Sequence, residues 1–139
     1  MSDLTIQYVP VYALHHVWAG VEHFLRDALE QAGADEYTVE QLKVYLSQGA
    51  QDLFVAVDSL NCVHGAATVS FVDYPQQRVA FVTAIGGKLF TNQATWGQFT
   101  SLLKSKGATR VQGAARESIA RLWRRYGFKE RHVIVEAQL

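Results

Sequence analysis

Three consecutive segments rich in β-favouring residues constrain this chain more than any other feature. They cover residues 53–58 (LFVAVD), 62–72 and 78–85 (RVAFVTAI), and only short stretches with turn residues separate them. Valine, isoleucine, phenylalanine and threonine favour the pleated backbone. Short connections of this kind join neighbouring strands that run in opposite directions. The sequence therefore predicts an antiparallel meander of three strands.

Helical patterns lie on both sides of this meander. Apolar residues recur at helical spacing over residues 11–32, and Thr38 with Gln41 has the spacing of a capping box at the start of a second helix. The other predicted elements are a first strand at 4–9, a helix from 92 to 106, a strand at 109–113, a helix from 116 and a last strand at 132–138. The predicted fold is α/β (α+β), one domain over residues 1–139 with a mixed central sheet in the order β-α-α-β-β-β-α-β-α-β.

Composition narrows the class of protein. With 49% hydrophobic and 19% charged residues in 139 positions, the chain is expected to form one ordered globular domain. It has no apolar run of the roughly 18 residues that span a bilayer, and its start, MSDLTIQYVP, does not resemble a signal peptide. Cys62 is the single cysteine, which points to a reducing compartment. We expect it to be a small buried hydrophobe within a strand.

Charge is distributed unevenly along the chain although the net charge is +0. Residues 1–60 carry nine acidic and two basic residues, whereas residues 104–131 carry nine basic and two acidic ones. Such asymmetry indicates either contact faces for a partner or two solvated faces that neutralise each other within the fold. The sequence leaves both readings open.

The helix predicted from Arg116 has a distinctive end. Its apolar stripe consists of Ile119, Leu122, Trp123 and Tyr126, after which Gly127 is placed for a left-handed cap and Phe128 can fold back onto the stripe. This aromatic–Gly–Phe ending, together with the order of elements, resembles the GNAT N-acetyltransferase fold. The resemblance covers nearly the whole chain, and it implies acyl transfer from acetyl-CoA.

The motifs that would carry this chemistry depart from the GNAT pattern. The resemblance implies a Gln/Arg-x-x-Gly-x-Gly/Ala loop that cradles the coenzyme pyrophosphate, but the chain reads GGKLFTNQATWG at that place. Where the family often carries a tyrosine acid the chain has Trp123, whose indole N–H has no useful acidity. Where a helical asparagine is common it has Arg116. The first expectation is therefore that the chain binds no cofactor and has no catalytic residue.

Alternatives drawn from the same residues stay open. If the chain is an acetyl-CoA-dependent N-acyltransferase with an atypical cofactor loop, Tyr126 would replace the acid and Glu22 could act as base. The coenzyme contacts would then come from Ile85, Gly86, Gly87 and Lys88.

Other chemistry has less support. His15, His16 and His23 lack further ligands at metal-binding spacing. The aromatics near the arginines belong to the apolar stripe, which argues against nucleic-acid binding.

Several short segments also resemble small GNAT-like proteins encoded by tailed phages. They include Val17-Trp18, Asp73-Tyr74-Pro75, Gly86-Gly87 and Trp96. This resemblance implies a non-catalytic virion structural or assembly component, located in the host cytoplasm or packaged in the virion, without a membrane. Its partners would be other virion proteins or a second copy. The candidate interaction face consists of Arg116, Arg121, Arg124 and Arg125.

Overall fold

The computed structural model describes residues 3–33 and 35–139. Its centre is a five-stranded mixed sheet in the order β1-β2-β3-β4-β5. The strands are β1 (Thr5–Val9), β2 (Asp52–Val57), β3 (Val63–Tyr74), β4 (Gln77–Gly87) and β5 (Arg110–Gly113), and the helices are α1 (Leu14–Gln31), α2 (Val39–Ser47), α3 (Gln93–Ser105) and α4 (Glu117–Trp123). Strands β1 to β4 are antiparallel, and β5 is parallel to β4. The predicted meander is confirmed.

Helices cover both faces of the sheet. One core joins α1 and α2 to the sheet through residues that include Val21, Leu25, Leu42 and Val55. The opposite core joins α3 to the sheet, and its largest buried side chains are Phe54 and Phe99, whose rings meet edge to face at 5.5 Å. Alternate strand residues thus serve two helical layers, which is why β2 is apolar along most of its length.

The first predicted helix begins slightly later than its pattern suggests. Residues Val11–Ala13 form a 3-10 turn after Pro10, and α1 then runs to Gln31. Its predicted stripe is buried at Leu14, Trp18, Val21, Leu25 and Leu29. Within the described part of the chain, no helix has the length and apolar character needed to cross a membrane.

A β-bulge interrupts β4 at Thr83. Val82 is opposite Val69 and Ala84 is opposite Thr68, so Thr83 is an extra residue in β4. Its hydroxyl donates to the Gln51 side-chain oxygen at 2.6 Å and lies 2.7 Å from the Thr68 hydroxyl. A bulge bends its strand and increases the local twist. Strand β4 accordingly pairs with β5 only from Val79 to Val82, and the two strands separate beyond this point.

The end of α4 confirms part of the prediction for residues 116–128. Gly127 has the left-handed φ of 93°, and the Phe128 ring lies 5.1 Å from that of Trp123. The stripe is not fully buried, however, because Ile119 and Leu122 remain 40% and 49% exposed. Only Trp123 is buried along α4, since the other apolar side chains face an open cleft.

Two local predictions are wrong. Residues 132–138 form no strand, and within residues 3–33 and 35–139 the sheet has five strands only. This segment contacts no neighbouring strand, so Val133, Ile134 and Val135 are 82%, 73% and 87% exposed. Cys62 is exposed rather than buried, because the turn after β2 extends through it and β3 begins at the next residue.

Candidate functional site

A cleft opens where β4 and β5 separate. Its volume is about 640 Å³, and its walls are the second half of β4, the segment from Ala114 to Tyr126, and the C-terminal end of α1. Apolar residues form much of the lining, among them Val82, Ile85, Leu89, Ile119 and Leu122. The bulge at Thr83 and the early end of the β4–β5 pairing create this space, so the cleft is a direct result of sheet geometry.

The charged residues of the cleft are all cations. Lys88, Arg116 and Arg125 line it and are exposed to solvent. Among the described lining residues there is no aspartate, glutamate or histidine. Fields from like charges add in a concave site with apolar walls. The cleft therefore favours an anionic ligand that also carries apolar surface.

One edge of β4 offers backbone hydrogen-bonding groups to the cleft. Thr83 is the unpaired bulge residue, and from Ala84 to Gly87 the strand pairs with β3 alone. The N–H and C=O groups on the other edge have no strand partner among the described residues. Such groups need a partner when they are buried, so this edge can bind the amide or carbonyl groups of a ligand.

Tyr126 and Trp123 both line the cleft but in different environments. Trp123 is 8% exposed and packs on β5. Tyr126 is half-buried, with its ring 5.1 Å from Phe90 and 5.5 Å from Trp96. Packing therefore positions Tyr126 at the wall of the cleft, and it is the one tyrosine among the described lining residues.

The loop between β4 and α3 is held by its own contacts. The Lys88 N–H donates to the His64 carbonyl at 2.8 Å. At the start of α3, the Thr95 N–H donates to the Asn92 side chain at 2.9 Å, and the Thr91 N–H donates to the Thr95 hydroxyl at 3.0 Å. Helix N-termini bind phosphate through free N–H groups. Here side-chain oxygens accept from the N–H groups of Asn92 and Thr95 at the start of α3. The predicted lack of a phosphate cradle stays a prediction.

The two glycines proposed for coenzyme contact have different positions. Gly87 lines the cleft with Ile85 and Lys88, whereas Gly86 faces α1, where a Cβ would collide with the Phe24 carbonyl. Gly87 has φ 68°, and a Cβ there would meet the His64 carbonyl and the Phe24 ring. Close packing between α1 and the sheet explains both glycines without a ligand.

Glu22, the candidate base, does not line the cleft. It forms an ion pair with Arg26, which also lies 3.7 Å from Glu40. The hydrogen bond from the Arg26 guanidinium to Glu22 raises the pKa of Arg26 above its ordinary value. The Glu22 carboxylate is therefore paired with the Arg26 guanidinium on the α1 surface and does not reach the cleft.

The four arginines proposed as an interaction face are divided by the structure. Arg116 and Arg125 line the cleft, whereas Arg124 forms ion pairs with Glu117 at 3.3 Å and Glu130 at 2.8 Å. Arg121 lies on α4 outside the cleft lining. Helical periodicity places these side chains on different sides of the helix. It does not show which of them reach the cleft, because that depends on the position of α4.

Sequence reasoning missed the residues that shape the cleft. Thr83 and its partner Gln51 lie 32 positions apart, and no local motif connects them. Ser118, which also lines the cleft, follows Glu117 in an ordinary first helical turn. A threonine within a β-rich run resembles any other strand residue, so the sequence carries no visible signal for the bulge.

A separate polar cluster lies at the turn between β2 and β3. Asp58 accepts hydrogen bonds from the His64 ring at 2.8 Å and from the N–H groups of Leu60 and Cys62 at 2.9 and 3.0 Å. These hydrogen bonds hold the pKa of Asp58 below its ordinary value, and the bond from His64 has the largest effect. In the described residues no group of three or more His, Cys, Asp or Glu side chains is arranged to hold a metal ion.

Comparison with known proteins gives a consistent answer on fold. No protein-family profile and no curated protein sequence matches the chain. Solved structures do match. An aminoglycoside acetyltransferase from an uncultured soil metagenomic sample, in complex with sisomicin, superposes with TM-score 0.68 at 17% identity, covering 98% of this chain and 96% of that one. A predicted acetyltransferase with acetyl-CoA from Clostridium acetobutylicum superposes with TM-score 0.65 at 11% identity, covering 98% of this chain and 96% of that one.

A further structure, described as a "probable acetyltransferase", gives TM-score 0.67 at 14% identity and covers 96% of this chain and 95% of its own. The chain has the GNAT fold. At such identities the superposition shows the fold alone. The resemblance inferred from element order and from the Gly-Phe ending is confirmed, whereas the resemblance to phage proteins is not shown.

These comparisons correct the first functional expectation. A non-catalytic virion component is the wrong reading, because the solved structures that share this GNAT fold are described as acetyltransferases. The expected absence of a cofactor has no support either, since one of these GNAT structures contains acetyl-CoA.

Proposed function

We propose that the chain is an acetyl-CoA-dependent N-acyltransferase that binds its coenzyme through side-chain cations instead of a backbone phosphate loop. The observation that carries this proposal is the cleft between the diverging strands β4 and β5. Its lining combines an apolar wall, an unpaired edge of β4 and three cations, with no acidic residue among the described lining. That combination suits a long ligand with an amide-bearing arm and an anionic end.

The residues of the cleft fit acetyl-CoA in this way. The β4 edge from Thr83 to Gly87 offers N–H and C=O groups to the amides of the arm, and Lys88, Arg116 and Arg125 offer charge to the phosphates. Bound acetyl-CoA would supply an acyl group activated as a thioester. In this proposal the cations are the main phosphate contact, because the Asn92 side chain already accepts from the Thr95 N–H at the start of α3.

Tyr126 is the residue we assign to proton transfer. Its hydroxyl can donate a proton to a departing thiolate, whereas the Trp123 indole cannot. The ring is fixed between Phe90 and Trp96. Positioning by packed aromatic rings supports a role at a defined point of the cleft, because a fixed donor loses little entropy in the reaction.

Deprotonation of the acceptor amine falls to solvent in this proposal. The described cleft lining has no carboxylate or imidazole, and Glu22 is held by Arg26. The amine must therefore lose its proton to water before attack. This arrangement predicts a rate that rises with pH until the acceptor amine is fully neutral.

The direct test is titration calorimetry of the full chain with acetyl-CoA and with coenzyme A, supported by thermal unfolding. Micromolar binding is expected. At a ligand concentration one hundred times Kd, mass action stabilises the folded state by about 2.7 kcal/mol. The absence of both heat and a Tm shift at millimolar acetyl-CoA would overturn the proposal.

A further inference from the structure

A chain of hydrogen bonds connects the bulge of β4 to the residue before β2. The Thr83 hydroxyl lies 2.6 Å from the Gln51 side-chain oxygen and 2.7 Å from the Thr68 hydroxyl, and the Gln51 side-chain nitrogen donates to the Tyr37 hydroxyl at 3.4 Å. Thr68 is fully buried and Gln51 is 8% exposed. Polar groups in such places need hydrogen-bond partners. These side chains are the partners of one another.

Chemistry fixes the order of donors along this chain. A distance of 2.6 Å is typical of an O–H···O hydrogen bond, and an amide oxygen can only accept. Thr83 therefore gives its single hydroxyl proton to Gln51, and the Thr68 hydroxyl must donate to Thr83. The Thr68 carbonyl lies 3.2 Å from the Thr83 hydroxyl. It is a second acceptor for the same proton when the Gln51 oxygen is removed.

The bulge lies where the arm of the coenzyme is proposed to bind. Thr83 lines the cleft and is half-buried, and beyond it β4 pairs with β3 alone from Ala84 to Gly87. A bulge bends and twists its strand, so the direction of the free N–H and C=O groups depends on how the extra residue is held. Strand β3 places no residue opposite Thr83. The hydrogen bond to Gln51 holds the bulge from outside the two strands.

We propose that Gln51 is a positioning residue for the coenzyme: through Thr83 it fixes the free edge of β4 in the shape that binds the amides of the arm. This inference rests on the proposed function. Gln51 lies between α2, which ends at Ser47, and β2, which begins at Asp52. Its backbone N–H donates to the Tyr45 carbonyl at 3.4 Å. Helix α2 thus holds the bulge through one side chain.

Positioning by Gln51 and simple stabilisation of the fold have different consequences. Without Gln51 the Thr83 hydroxyl can turn to the Thr68 carbonyl, so the fold should lose little stability. The bulge would then adopt more than one twist, and only a fraction of the folded molecules would present the edge that binds the arm. The apparent affinity falls with that fraction. A residue that only stabilised the fold would leave the affinity of the folded chain unchanged.

The test measures the Kd for acetyl-CoA by titration calorimetry in variants of both residues. Gln51→Met keeps the length of the side chain and should raise Kd about three- to tenfold, the effect of one lost buried hydrogen bond. Thr83→Val should raise Kd at least as much. The double variant should match Thr83→Val, since Gln51 acts through Thr83. Thr83→Ser keeps the hydroxyl and should restore an affinity close to that of the wild type.

Two controls separate positioning from stability. Tyr37→Phe removes the hydroxyl at the outer end of the chain, where the hydrogen bond is longest, and should leave Kd unchanged. Val39→Ala truncates a side chain of α2 that is 4% exposed. It should lower the urea midpoint more than Gln51→Met does and also leave Kd unchanged. If Kd instead follows the urea midpoint across all variants, Gln51 is only a structural residue and the proposal is wrong.

Binding by the wild-type chain distinguishes this inference from the proposed function. Micromolar binding with the same Kd in the wild type, Gln51→Met and Thr83→Val would overturn the role of Gln51 and leave the proposed function in place. No binding by the wild type would overturn both. Amide hydrogen exchange of the free chain gives a readout without ligand: exchange over residues 82–86 should be faster in Gln51→Met than in the wild type and Tyr37→Phe. Equal rates in all three would contradict the positioning role.

Discussion

The ring of Trp123 lies directly on Gly113: a Cβ added to that glycine would be 2.9 Å from the ring atom Cζ3. Gly113 is the last residue of β5, and Trp123 is the buried residue of α4. The contact fixes α4 against the point where β5 leaves β4. GNAT enzymes often have a tyrosine acid at the position of Trp123. In this chain the side chain at that position sets the width of the cleft, because it holds α4 against β5.

Gly113→Ala should lower the free energy of unfolding by about 1–3 kcal/mol, because the added methyl group overpacks the contact with Trp123. It should also weaken acetyl-CoA binding by displacing α4. Urea denaturation and calorimetry measure the two effects. Gly97→Ala is the control, since no atom lies within 4 Å of the added Cβ and alanine favours the helix by about 1 kcal/mol. Equal stability of wild type and Gly113→Ala would show that the contact is loose.

Tyr126→Phe should lower kcat by about a hundredfold or more and leave the Kd for acetyl-CoA nearly unchanged, because it removes a proton donor and keeps the ring contacts. Release of coenzyme thiol in the presence of primary amines measures the rate. All variants carry Cys62→Ser, since the exposed Cys62 thiol would react with the detecting reagent. Tyr12→Phe is the control. An unchanged kcat would mean that water, and not Tyr126, protonates the leaving thiolate.

Arg116→Ala and Arg125→Ala should each raise the Kd for acetyl-CoA about three- to tenfold, as expected for partly solvated charge pairs. Affinity should also fall with ionic strength, because exposed charges are screened over about 8 Å at physiological salt. Arg121→Ala removes the same charge from α4 outside the cleft lining and should change Kd little. If all three variants behave alike, the effect is one of net charge and the assigned contacts are wrong.

Asp58→Asn should destabilise the turn between β2 and β3 at neutral pH and cost progressively less in acid. The pKa of Asp58 lies below its ordinary value of 3.8 in the folded chain. Its carboxylate therefore stabilises the fold in full above the unfolded pKa, and this contribution is lost as pH falls through the folded pKa. Asparagine keeps the oxygen that accepts from Leu60 and Cys62 but loses the charge facing His64.

Urea midpoints at neutral pH and at about pH 3 measure this convergence. Asp27→Asn removes a carboxylate from the exposed side of α1 and should have little effect at either pH. A constant difference between wild type and Asp58→Asn across the range would mean that the bond to His64 contributes nothing through charge.

The sequence predicted the elements whose signals are local. The meander, the capping box at Thr38, the stripe of α1 and the left-handed Gly127 all depend on residues close together in the chain, and all are found. The bulge at Thr83 depends on register with β3 and on Gln51, which no local pattern reveals.

The errors have the same origin. The alternation at 132–138 is that of a strand, but a strand forms only where an edge accepts it, and pairing depends on the rest of the sheet. Of the site residues that the sequence indicated, Ile85, Gly87, Lys88 and Tyr126 line the cleft, whereas Gly86 and Glu22 do not. It could not separate Arg116 and Arg125 from Arg124, because that division follows from the packing of α4 on β5.

The three cations of the cleft, Lys88, Arg116 and Arg125, would have a consequence for selectivity inside a cell if they bind the coenzyme phosphates as proposed. A backbone cradle recognises the shape of a pyrophosphate, whereas flexible cations such as Lys88 and Arg125 recognise charge and accept many anions. Adenine nucleotides would then compete at the mouth of the cleft. In the proposed mode of binding, discrimination would come from the apolar wall and the free edge of β4, so fidelity would rest on the ligand's arm and not on its phosphates.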